Sequence, residues 1–373
     1  MDIDYLHLYV DQVAPWQEWF IHYLGAQLTG ESATGQPVPL HIGQVVMLLS
    51  DPQQNHQAAT YLQHHPPGVG DIAFRVKDLD RVLKRFLREG GRLVLPPQVA
   101  QTKAGPVFWA QVQGWGSLCH TLIERRVEPG DLQTSSKDQP RFIPGLQATF
   151  QPKGGNILAI DHVVLNVAAG TLTKAVDWYK RTLGFCAQQQ FVIKTPDSGL
   201  YSQVLKHPDG SAQLPINEPT TANSQIQEFL NWHRGDGVQH AALLTTDIVS
   251  IVDSLRRRGL RFLEVPDIYY EQVLARPGYA LAADMLKAIR HQQILIDWDV
   301  AQPQAQLLQT FTQPVFGIPT LFFELIERQQ RYRNGRLIQA KGFGEGNFQA
   351  LFEAMEREQS QRGSLQMFSE ENY

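Results

Sequence analysis

Residues 68–91, GVGDIAFRVKDLDRVLKRFLREGG, return as residues 237–260, GVQHAALLTTDIVSIVDSLRRRGL, with Asp78 against Asp247 and Gly90 against Gly259 at one constant offset. In each copy an apolar run gives way at an aspartate to apolar residues at helical spacing and then to a glycine stop. The pair therefore reads as one strand–helix unit written twice. Two further pairs flank it. Residues 4–26, DYLHLYVDQVAPWQEWFIHYLGA, echo residues 160–185, IDHVVLNVAAGTLTKAVDWYKRTLGF, aligning Trp19 with Trp178 and Gly25 with Gly184. LCHTLIERR at 118–126 echoes LFFELIERQ at 321–329. The chain is a duplication.

Within each half the strand–helix unit occurs twice and is followed by short β-rich sequence such as VVMLLS at 45–50 or QILIDWDV at 293–300, bounded by turn formers. This predicts an α+β protein of four βαβββ-like modules. Residues 127–156, rich in Pro, Gly, Ser and Gln without sustained periodicity, read as a linker between domains at 1–126 and 157–358. Near the end, GFGEGNFQALFEAMEREQSQRG at 342–363 places three glycines before Asn347, a candidate helix cap, and an apolar stripe of Phe348, Leu351, Phe352 and Met355. A helix over 347–358 either docks on the core or closes over a pocket as a gate on a glycine hinge, Gly342, Gly344 and Gly346. Residues 359–373 are expected to form a mobile tail.

The 373 residues carry 33 Lys and Arg against 37 Asp and Glu, a net charge of −4, which gives no broad attraction to nucleic acid or to anionic lipid. No apolar stretch approaches the ~20 residues of a membrane span. Only Cys119 and Cys186 are present, too few for a disulfide framework, which suits a reducing, cytoplasmic setting. His64 and His65, beside Pro66 and Pro67, read as a solvated turn.

The two halves differ in their polar strand residues. His162 aligns with His7, His240 with Asp71 and Glu324 with Thr121, so the second half alone has His, His and Glu. By alternation His162 shares a face with Ile160 and Val164, His240 with Ala242, and Glu324 with Phe322. A carboxylate between Phe323 and Leu325 on a buried strand needs a compensating cation or tight hydrogen bonds. Two imidazoles and one carboxylate on one face suit a non-haem Fe(II) oxygenase, with zinc hydrolysis as the competing chemistry.

GLYSQVL at 199–205, LPINEP at 214–219, SQIQEFL at 224–230, GVQHAAL at 237–243, LLQTFTQP at 307–314, TLFFELIER at 320–328 and GFGEGNF at 342–348 together resemble the 4-hydroxyphenylpyruvate dioxygenases of the vicinal oxygen chelate superfamily. The resemblance covers nearly the whole chain and is strongest from Ile157 to Glu358. It implies two tandem vicinal-oxygen-chelate domains, each of paired βαβββ modules forming an open half-barrel sheet, with a non-catalytic first domain and a C-terminal gating helix. It implies Fe(II) on His162, His240 and Glu324. Gln239, Gln309, Phe322 and Asn347 would be catalytic, and Ser202, Pro215, Asn217, Gln225, Phe311, Phe343 and Phe348 would bind substrate.

The activity so implied belongs to tyrosine catabolism. 4-Hydroxyphenylpyruvate would chelate the iron through its keto oxygen and carboxylate and react with O2 by oxidative decarboxylation, ring hydroxylation and side-chain shift, giving homogentisate and CO2. A homo-oligomer, dimer or tetramer, is expected. Two alternatives stand beside this reading: a hydroxymandelate synthase using the same substrate, and a metal-free small-molecule-binding protein of the same fold.

Overall fold

The computed structural model of the chain describes residues 1–28, 35–126, 141–144, 146, 149–150, 154–195, 198–279, 281–333 and 336–363. In the first half, β1 (Asp2–Tyr9), α1 (Val13–Leu24), β2 (Gln27–Leu28), β3 (Val38–Ile42) and β4 (Val45–Ser50) form one βαβββ module. After the connecting helix α2 (His56–His64), a second module follows: β5 (Gly68–Arg75), α3 (Leu79–Arg88), β6 (Leu93–Thr102), β7 (Gly105–Gln113) and β8 (Cys119–Arg125). A short ladder, β9 (Arg141–Phe142) with β10 (Thr149–Phe150), lies between the halves.

The second half repeats the plan. Its first module is β11 (Ile157–Asn166), α4 (Leu172–Thr182), β12 (Cys186–Lys194), β13 (Gly199–Lys206) and β14 (Gln213–Pro219), followed by the connecting helix α5 (Gln225–His233). The next has β15 (Gly237–Thr245) and α6 (Ile248–Arg257), then two added helices, α7 (Asp267–Leu274) and α8 (Ala283–His291), before β16 (Leu295–Trp298), β17 (Gln306–Phe311) and β18 (Phe322–Arg328). A hairpin of β19 (Gln330–Arg333) and β20 (Arg336–Gln339), a 3-10 turn at Glu345–Asn347 and α9 (Phe348–Arg362) complete the described chain. No helix among the described residues is long and apolar enough to cross a membrane.

Each half makes one eight-stranded mixed sheet, ordered β2-β3-β4-β1-β5-β8-β7-β6 and β12-β13-β14-β11-β15-β18-β17-β16. Modules meet along their first strands, antiparallel, while the first and last strands within a module pair in parallel. This is the paired-module, half-barrel arrangement that the family resemblance implies. Its consequence for chemistry is that β11, β15 and β18 are immediate neighbours.

One face of each sheet packs with the module helices into a continuous core containing Leu6, Leu8, Phe20 and Phe86 from the first half and Val163, Leu165, Tyr179, Val252 and Phe323 from the second. The rings of Phe20 and Phe323 lie 6.1 Å apart across it. Each large side chain so buried contributes about 1.5–3 kcal/mol. The opposite faces differ between the halves. In the first, Tyr5, Val46, Leu48, Ala73, Val107 and Ile123 close around Ile143 and Leu146, so the middle of the expected linker fills that face. In the second, the same face is a pocket.

Two expectations require correction. Helix α9 runs through Arg362 before Gly363 ends it in the left-handed conformation, so residues 359–362 belong to the helix and not to a tail; residues 364–373 lie outside the described residues, as do 127–140 of the linker. His65 is buried, not solvated: α2 packs beside α5, the His65 ring stacks 4.6 Å from that of His233, and its Nδ1 lies 2.9 Å from the His233 carbonyl.

Candidate active site

Three adjacent strands bring His162, His240 and Glu324 together at 3%, 7% and 1% exposure. The pairing is His162 with Ala242 and His240 with Val164 between β11 and β15, then Ala242 with Glu324 between β15 and β18. Glu324 Oε2 lies 3.2 Å from His162 Nε2 and 3.5 Å from His240 Nε2. The three potential ligand atoms all lie within 4.8 Å of one another, and among the described residues this is the cluster able to hold a metal ion. The other carboxylate oxygen, Oε1, accepts a 2.9 Å hydrogen bond from Gln309 Nε2.

The electrostatics fit a cation. Burial raises the Glu324 pKa, but the His162 charge and the imidazole hydrogen bonds outweigh it and bring the pKa down to about 2, so the group stays anionic. Burial lowers the His162 pKa, yet the carboxylates of Glu324 and Asp161 hold it up at about 9, while burial dominates at His240 and lowers it. Two imidazoles sharing one buried carboxylate oxygen form a donor set that a single divalent ion would bridge, replacing the proton.

Backbone irregularity supplies what alternation misses. The β11–β15 register shifts between Ile160 and His162 and again between Val164 and Leu165, inserting Asp161 in one strand and Gln239 in the other as bulge residues. Ile160 therefore packs into the helix-side core, and does not share the face of His162 as expected. The bulge lets Asp161 Oδ1 lie 2.9 Å from His162 Nδ1, which fixes the proton there and leaves Nε2 facing Glu324. Both Gln239 and His240 line the pocket.

The bulge also corrects the alignment. Tyr5 pairs with Ala73 as His162 pairs with Ala242, so Tyr5, and not His7, occupies the position of His162. Asp71 and Thr121 do stand where His240 and Glu324 stand. There Asp71 accepts from the Thr121 N–H at 2.8 Å, from the Thr121 hydroxyl and from Gln111 Nε2 at 2.8 Å, with burial raising its pKa. Hydrogen bonds offset only part of the cost of burying this carboxylate, which no neighbouring imidazole pair shares.

The pocket encloses about 720 Å³, part of it open to solvent. The structure brings to its wall every residue expected to act on substrate: Gln239, Gln309, Phe322 and Asn347, together with Ser202, Pro215, Asn217, Gln225, Phe311, Phe343 and Phe348. Phe322 stacks on His240 at 4.7 Å and Phe343 meets His162 edge-on at 5.2 Å. Phe191, Ile193, Leu200 and Val204 of β12 and β13 also line it, and sequence reasoning missed them. The available signal was apolar alternation, in Phe191 and Ile193 on β12 and in Leu200 and Val204 on either side of Ser202 on β13.

Helix α9 closes the pocket with Phe348, Leu351, Phe352 and Met355. Its polar ties include Arg362 to Glu228 at 3.0 Å, Thr195 to Glu356 at 2.6 Å and Gln313 to Glu358 at 3.1 Å. Asn347 makes no side-chain cap, contrary to expectation. Its amide instead donates to Gln309 Oε1 at 3.0 Å and accepts from the Tyr269 hydroxyl at 2.7 Å, so it joins the start of α9 to the Glu324 partner. Gly344, at φ +77°, permits this: a Cβ there would sit 1.8 Å from Gln309 Oε1.

Known proteins place the chain. Residues 159–275 match the family model of the Glyoxalase/Bleomycin resistance protein/Dioxygenase superfamily. An uncharacterized protein of Synechocystis sp. is 36% identical, covering 95% of this chain and 97% of its own length. The 4-hydroxyphenylpyruvate dioxygenase of Tetrahymena thermophila is 32% identical over 97% of this chain and 91% of that protein, and that of Aspergillus fumigatus 36% over 82% and 74%. A solved structure of a mutant 4-hydroxymandelate synthase from Streptomyces coelicolor superposes with a TM-score of 0.75 at 25% identity, covering 96% of this chain and 98% of that one. With its duplicated βαβββ sheets and a buried His, His, Glu cluster on one of them, the chain belongs to the 4-hydroxyphenylpyruvate dioxygenase family, a metal-dependent branch of the vicinal oxygen chelate superfamily.

Proposed function

We propose that the protein converts 4-hydroxyphenylpyruvate and O2 to homogentisate and CO2, with Fe(II) held by His162, His240 and Glu324. The observation that carries this reading is the convergence of two imidazole nitrogens and one buried carboxylate inside a phenylalanine-walled pocket. Bound there, Fe(II) supplies coordination positions for a chelating 2-oxo acid and for O2, and the redox capacity for decarboxylation and ring hydroxylation. Gln309 holds Oε1 of Glu324 and so turns Oε2 toward the two imidazoles. Phe322, Phe343 and Phe348 hold the aromatic ring, and α9 keeps bulk water away from it. Gln239 donates to Gln225 Oε1 at 2.8 Å, presenting a braced amide pair beside His240.

The phenol end falls to Ser202 and Asn217, cross-strand partners on β13 and β14 and both buried. Asn217 lies mid-strand, its amide 3.3 Å from Asn166 Oδ1, and does not hold a turn between Pro215 and Pro219. Asn217→Leu is expected to cut homogentisate per O2 consumed about tenfold, on the scale of one lost hydrogen bond near 1–1.5 kcal/mol. An unchanged product ratio with loss of stability would contradict the assignment.

A 4-hydroxymandelate synthase would use the same site and is favoured by the structural likeness to one; the product separates the two. A metal-free binding protein is disfavoured by the anionic Glu324, which a ligand-binding cavity has no need to bury. Titration with Fe(II) under anaerobic conditions should saturate at one ion per chain, all of it lost in a His162→Ala, His240→Ala variant. Saturation at zero or at two would contradict the reading. The proposal includes a cytoplasmic setting, supported by two cysteines that are both free, and assembly as a homodimer or tetramer, which light scattering would read.

A further inference from the structure

We propose that Asp161 and Arg328 are positioning residues that couple closure of the α9 gate to the aim of the His162 ligand, resting on the reading of His162 as a metal ligand. Both side chains are nearly sealed from solvent, at 7% and 9% exposure. The Arg328 guanidinium grips the Asp161 carboxylate with two parallel bonds, Nε to Oδ2 and Nη2 to Oδ1, each 2.7 Å. The same Oδ1 receives His162 Nδ1 at 2.9 Å. The remaining arm, Nη1, donates to the Gly342 carbonyl at 2.8 Å, the first residue of the glycine hinge. One planar fork therefore touches the orienting partner of a ligand and the root of the gate at once.

The next hinge carbonyl serves the other side of the site. Gln309 Nε2 lies 3.0 Å from Phe343 O while also holding Glu324 Oε1. Opening the hinge withdraws an acceptor from each group that positions a ligand.

The duplication provides an independent observation. In the first half the matching bulge residue Asp4 is gripped by Arg125, Nη1 to Oδ1 at 3.0 Å and Nη2 to Oδ2 at 2.7 Å, and Arg125 also donates to the Phe142 carbonyl at 2.9 Å. Phe142 packs against the cluster that plugs that sheet. In both halves, then, the arginine of LIER ties the bulge to whatever covers the concave face. The cover is a fixed plug in one half and a glycine hinge in the other, and only there does a histidine follow the aspartate.

If closure improves the ligand set, metal binding must favour closure by the same factor. The test loads metal-free full-length protein with Co(II) alone, reading affinity from the cobalt absorption band and gate closure from amide hydrogen exchange of residues 348–362. In the wild type, Co(II) should slow exchange across α9. Arg328→Lys keeps the charge but cannot span Asp161 and Gly342 together. It should bind Co(II) about 10–100-fold more weakly, the usual effect of losing an outer-shell partner, and its α9 exchange should no longer respond to metal. Arg125→Lys, the matched change in the first half, controls for general destabilisation and should leave both readouts as in the wild type. If Arg328→Lys does not fold by circular dichroism, Asp161→Asn, of the same shape, carries the test with the same expected weakening. Wild-type affinity together with a wild-type α9 response in the folded variant overturns the coupling and leaves the metal reading standing. Failure of the wild type to bind Co(II) overturns both.

Discussion

Glu324→Gln is expected to abolish nearly all turnover and to lower metal affinity by more than the roughly 10–100-fold that loss of an outer-shell partner costs. The amide keeps the shape of the side chain and its contact with Gln309, but it carries no charge to offset a divalent ion flanked by two neutral imidazoles. The fold should survive, because His162 keeps Asp161 as a partner and the surrounding strands are held by Phe323 and Leu325 in the helix-side core. Elemental analysis and oxygen uptake on the purified variant check this. Wild-type metal content with wild-type turnover would remove Glu324 from the centre.

Truncation after Gly342 has the second-largest expected effect. It removes Phe343, the Asn347 bond to Gln309 and α9. Phe352 belongs to a small cluster with Leu200, Ile226, Phe229 and Leu230, and α9 meets the main core only through the partly buried Ala350, Leu351 and Met355, so both sheets should remain folded. With the ring exposed to water on one side, product formed per O2 consumed should fall by about 10-fold or more, since a closing element excludes water and commits the substrate. A truncated chain with the product yield of the full chain would make α9 a docked helix and nothing more.

Much of this site was legible because duplication supplies an internal control. Asp71 and Thr121 mark where His240 and Glu324 are exceptional, and neighbouring strand order then makes the three side chains converge. What alternation could not read was a change of period: the bulge at Asp161 turns Ile160 to the other face and moves the match of His162 from His7 to Tyr5. Asn347 looked like a cap because it precedes an apolar stripe, yet the turn at Glu345–Asn347 carries its amide inward to Gln309. Tyr269, which completes that chain, sits in α7, an insertion absent from the first half and so without a copy to compare. His65 read as solvent-facing because burial across the two halves leaves no local pattern.

The most direct test is to incubate the Fe(II)-loaded protein with 4-hydroxyphenylpyruvate under oxygen and identify the product by mass and by nuclear magnetic resonance. Homogentisate and CO2 are expected in equal amounts, one of each per O2 consumed. Hydroxymandelate as the main product, or intact substrate after prolonged incubation with fully loaded protein, would contradict it.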